Sequence, residues 1–119
     1  MREVFAHDAV LTMGEQEDER APGAAITEAL CGSSNHEPPC PLAPHHTNSQ
    51  RSGEQVRLRV LFAVETGLAG EVRERIHQAL ARGAREAPSG AQPAWRLQES
   101  TASFPRPEEE DHGRRLLSD

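Results

Sequence analysis

Five side chains able to ligate a metal crowd into one short stretch of this chain: Cys31, His36, Cys40, His45 and His46, spaced Cys-x4-His-x3-Cys-x4-His-His. Thiolate and imidazole are the preferred donors for zinc, and four of them close a tetrahedral structural site. Intervals of three and four residues let one loop wrap a single ion. Pro38, Pro39, Pro41 and Pro44 stiffen that loop and lower the entropy lost on closure. Neighbouring side chains of an extended chain point to opposite sides, so His45 and His46 do not share one ion. The expected ligand set is therefore Cys31, His36, Cys40 and one of the two adjacent histidines, with zinc as the metal. Copper and iron accept the same donors, and geometry separates them. With one donor disengaged, the site becomes an open three-ligand centre with Glu37 as its nearest carboxylate.

The same residues admit two other readings. No Cys-x-x-Cys knuckle is present, so Cys31 can end a buried segment as a small hydrophobe while the rest forms a polar loop. Alternatively Cys31 or Cys40 is a nucleophile with His36 or His45 as its base, although no third orienting group stands out. What favours a metal is the weakness of the core. The chain has 119 residues and its hydrophobic share of 35% is inflated by alanine. Leu, Ile, Val and Phe together supply fewer than one residue in five, and small cores commonly need a staple or a partner.

Composition also excludes several classes. A net charge of -6, no lysine and an aromatic share of 3% argue against a general nucleic-acid binder. The longest strongly apolar run, residues 60–64, is far short of a bilayer span. The first eight residues lack the apolar region of a secretory signal, so a cytoplasmic setting is expected, where thiols stay reduced.

These donors need elements to position them. Residues 4–13 read as a first strand, and the acidic stretch 14–22 as an exposed loop. Residues 24–31 suit either a helical turn, with Ile26 and Leu30 four apart, or a short strand; strand is the reading preferred here. Residues 31–53, rich in Pro, Ser, Asn and Gly, are expected to lack regular structure. The clearest strand is 56–64, where Val56, Leu58, Val60, Phe62 and Val64 share one face. A helix follows with Leu68, Val72, Ile76, Ala79 and Leu80 on one stripe, stopping at Gly83. Residues 84–93 form a linker and 94–98 a short strand burying Trp95 and Leu97. Pro107 opens a last short helix whose acidic first turn suits the helix dipole, with Leu116 and Leu117 available to dock it.

The expectation is an α+β domain over residues 1–104 with the Cys/His loop at 31–53, and an acidic short helix or tail over 105–119. Its small, mainly antiparallel sheet carries one packed helix, and the strand–helix–strand unit is arranged as a split βαβ, half of a ferredoxin-like fold.

The segment from Cys31 through His36-Glu37-Pro38-Pro39-Cys40-Pro41-Leu42-Ala43-Pro44-His45-His46-Thr47, followed by the strand at 56–64, resembles small uncharacterised actinobacterial proteins. The likeness covers roughly a third of the chain and implies no activity. Those proteins carry a His-Trp pair soon after the first cysteine, where this chain has Ser33-Ser34.

Elsewhere, His7 with Asp8 is a candidate acid–base pair, read more simply as hydrogen-bonded scaffold, and His77 lies off the apolar stripe. Arg51, Arg57, Arg59, Arg73, Arg75, Arg82 and Arg85 outnumber the acids between 51 and 85, an excess that suits phosphate or an acidic partner or else a solvated face. The leading expectation is a zinc-binding accessory module. The alternative is a metal-free interaction module that binds an unknown protein partner or forms a homodimer, with no membrane contact.

Overall fold

The computed structural model describes residues 2–15, 17–31, 43–82 and 95–118, with Cys31 described at the backbone alone. Four strands, β1 (Arg2–Met13), β2 (His45–Ser52), β3 (Gln55–Glu65) and β4 (Trp95–Ser103), form one sheet. Its order is β2-β3-β1-β4, and every neighbouring pair is antiparallel. Strands β1 and β2 therefore run parallel with β3 between them, and β3 and β4 run parallel with β1 between them. Two interleaved split βαβ units result, which is the ferredoxin-like arrangement. The sequence reading anticipated half of it.

Helices α1 (Ala21–Cys31) and α2 (Ala69–Arg82) lie on one face of the sheet, so two helices pack there rather than the single one expected. From α2, Val72, Ile76 and Leu80 are fully buried against Leu11, Met13, Val60, Phe62 and Trp95. Each such side chain contributes about 1.5–3 kcal/mol. Trp95 also donates its indole N–H to the Leu80 carbonyl at 2.9 Å, which occupies an acceptor near the end of α2. The sheet's other face is partly covered by α3 (Glu110–Ser118), which follows a 3-10 turn at Pro107–Glu109. Leu116 packs there on Ala6, Leu61 and Ala63. That second cover accounts for the apolar Val4, Ala6, Leu61 and Ala63 on the face away from α1 and α2. Gly113 lets α3 sit close: a Cβ there would meet the Val4 methyls at 3.2 and 3.3 Å.

Two sequence expectations are corrected. Residues 24–31 belong to α1, a helix and not a strand. Its alanines favour helix, Pro22 is tolerated in the first turn, and the spacing of Ile26 and Leu30 buries both on one stripe. Residues 31–53 are not wholly irregular, because β2 occupies His45–Ser52. Its residues alternate between half-buried and exposed without one apolar member, so a hydrophobic pattern could not reveal it. A hairpin joins it to β3 between paired Ser52 and Gln55, with Gly53 at φ 62, a value that costs glycine nothing. The strand at 94–98 extends through Ser103, and a register shift between Val10 and Leu11 leaves Gln98 unpaired as a bulge.

Candidate metal centre

Pairing of His45 with Phe62 and of His46 with Leu61 places the two adjacent histidines on opposite faces of the sheet. His45 faces α1, where its Nδ1 lies 3.2 Å from the Ala43 carbonyl and its Nε2 lies 3.0 Å from the Thr27 hydroxyl. A carbonyl can only accept, so in the neutral ring Nδ1 carries the proton and Nε2 carries the lone pair. A carbonyl backing one ring N–H is the arrangement that orients metal-ligating imidazoles. The Thr27 hydroxyl has one proton and two acceptors in reach, Nε2 and the Gly23 carbonyl at 3.1 Å. Cys31, the last residue of α1, is four positions beyond Thr27, about 6 Å along the helix axis. Cys31 and Ala43, which flank residues 32–42 in the chain, thus belong to the end of α1 and the approach to β2, the two elements joined by the Thr27–His45 contact. His36, Glu37 and Cys40 and the Cys31 side chain lie outside the described residues. Among the described residues no group of three or more His, Cys, Asp or Glu side chains is placed to hold a metal ion.

Beside His45 a cleft of about 290 Å³ opens between α1 and β2, lined by Glu19, Arg20, Thr27, Thr47 and Leu58 among others. The Thr47 hydroxyl is buried there without a hydrogen-bond partner among the described residues. Arg20 is tied at its own end of the cleft to Asp18, with Nε 3.1 Å from the carboxylate, and this contact holds the Asp18 carboxyl below its ordinary range.

On the opposite face His46 meets His112 of α3, ring centroids 4.1 Å apart and planes tilted by 41°. Burial lowers the pKa of His46, and the neighbouring His112, His45 and Arg115 lower it further. His112 was not legible as a partner: it is an isolated histidine in a different element, far away in the chain.

The remaining candidates are scaffold. His7 is 5% exposed, its Nε2 is 2.8 Å from the Ser100 hydroxyl, and its Nδ1 faces Arg73 at 3.2 Å. Burial, with Arg73 adding to it, lowers its pKa to about 4. Arg73 also donates to the Ala6 carbonyl and stands over the Phe5 and Phe62 rings. Asp8 turns away from His7 to Arg59, so the two make no acid–base pair. All five N–H groups of Arg59 are used: two on the Glu109 carboxylate, and the others on Asp8, Ser103 and the Phe104 carbonyl. Arg51 donates to the Gly14, Glu17 and Gly53 carbonyls, and Arg75 pairs with Glu71. Much of the arginine excess is therefore internal structure rather than a ligand surface. His77 is exposed, as read.

No known protein family matches the chain, and no curated protein is similar to it. Among the described residues, no helix is long and apolar enough to cross a membrane.

Proposed function

We propose that the protein is a small cytoplasmic metal-binding accessory module, holding zinc through Cys31, His36, Cys40 and His45 where α1 ends and β2 begins. The observation that carries this reading is the His45 ring, whose Nδ1–H is backed by the Ala43 carbonyl while the Nε2 lone pair faces α1 one turn before Cys31. The Thr27 hydroxyl stands 3.0 Å from that nitrogen and yields to the ion. His46, on the far face of β2, is left out of the set. Zinc here joins the end of a helix to the start of an edge strand that has no apolar grip of its own, so binding and folding are coupled.

Metal analysis of tag-free protein tests the reading, with about one zinc per chain expected, as a four-ligand structural site holds. His45→Ala should lose this zinc and His46→Ala should retain it. Zinc-free protein whose unfolding ignores a chelator, or zinc lost from the His46 variant and kept in the His45 variant, overturns it.

A further inference from the structure

His46 and His112 come from separate elements, β2 and α3, and their rings are in contact. The contact is built rather than incidental. Helix α3 is anchored on the inner strands by Leu116 on Ala6, Leu61 and Ala63, by Gly113 against Val4, and just before its start by Glu109 on Arg59. His112 lies one turn before Leu116, and Leu61 beneath Leu116 is the register partner of His46. The two imidazoles are therefore held side by side by the same packing that seats the helix.

We propose that His46 and His112 form a second binding site, separate from the Cys/His loop, for a divalent ion of the imidazole-preferring class (nickel, copper or zinc). Two imidazoles bonded to one such ion at 2.0–2.1 Å place their ring centroids about 4.5–5 Å apart. The rings now stand 4.1 Å apart with planes tilted by 41°, so taking up an ion means parting by up to about 1 Å and turning one nitrogen of each toward it. Water completes the coordination sphere. Arg115, close enough to act on His46, opposes a cation here and keeps the site weaker than a closed four-ligand cage. An ion held by both rings ties α3 directly to β2, an edge strand that the helix otherwise leaves to β3.

The site is tested on the full chain, as purified with any zinc it carries, by titrating Ni2+ while following histidine ring-proton resonances, and by calorimetry. The expected result is paramagnetic broadening of the His46 and His112 signals together, before those of His7 and His77. His46→Ala and His112→Ala should each weaken Ni2+ binding about a hundredfold, because either change turns a chelate into a single donor. His77→Ala, at an exposed histidine in neither site, should leave Ni2+ binding unchanged, and the His46 and His112 variants should keep the zinc assigned to the loop, so the two sites fail independently. Helical circular dichroism checks that α3 survives, and His112→Gln serves should His112→Ala unseat it. Broadening of one ring without the other, or unchanged Ni2+ affinity in either folded single variant, overturns the proposal.

Discussion

Neutralising Glu109 isolates what its carboxylate contributes to docking α3. Arg59 is 11% exposed and Glu109 17% exposed, joined by contacts of 2.7 and 2.8 Å. The same carboxylate accepts from the Arg106 N–H at 2.7 Å. Hydrogen bonding to Arg59 lowers the Glu109 pKa from 4.5 to about 2. At about 1.4 kcal/mol per unit, that shift corresponds to about 3 kcal/mol, and screening at the domain's rim reduces it to about 2 kcal/mol. The folded-state value is depressed, so the stabilisation is complete above pH 4.5 and is lost as the pH falls through about 2. Glu109→Gln keeps the shape and removes the charge. Urea unfolding at neutral pH should show it less stable than the parent by about 2 kcal/mol, and the gap should close towards pH 2. A gap under about 0.5 kcal/mol at neutral pH, the scatter of an ordinary surface substitution, would refute the reasoning, as would a gap that does not change with pH.

Other substitutions probe the remaining contacts. Arg59→Met strands two carboxylates around a nearly buried position and should cost about 3 kcal/mol by chemical denaturation. His7, with its pKa lowered from 6.5 to about 4, binds protons more readily when unfolded; stability should fall as the pH drops from 6.5 through 4, and His7→Gln should flatten that limb of the pH–stability curve. Gly113→Leu drives a side chain into Val4 and should release α3, costing about 2 kcal/mol and raising amide exchange across 110–118. Trp95→Phe leaves the Leu80 carbonyl without its indole donor and should lower stability by about 1–2 kcal/mol, read by thermal unfolding.

Elements with an apolar rhythm were legible in the sequence. The strand around Val56–Val64 and the stripe Val72, Ile76, Leu80 stand where periodicity placed them, because both bury one face in the main core, whereas Leu68, read on the same stripe, lies in the preceding 3-10 turn and is exposed. β2 was not legible: its half-buried residues His45, Thr47, Ser49 and Arg51 are all polar, and hydropathy does not register such a face. Nor was α1 settled, since residues 24–31, with Ile26 and Leu30 four apart, suit a helical turn and a short strand alike until a sheet is there to pack against. Within the candidate site, the opposite orientation of His45 and His46 followed from strand geometry alone. The proposal of His45 over His46 for the loop rests on Thr27 and Ala43, and the partner of His46 needed the path of α3 over the sheet.

The wholly polar character of β2 also governs how two copies would meet. Strand addition along that margin would dehydrate amide, hydroxyl, imidazole and guanidinium groups without an oily strip to compensate. The opposite margin, β4, is broken by its bulge at Gln98. Neither flank, among the described residues, invites continuation of the sheet into a neighbour.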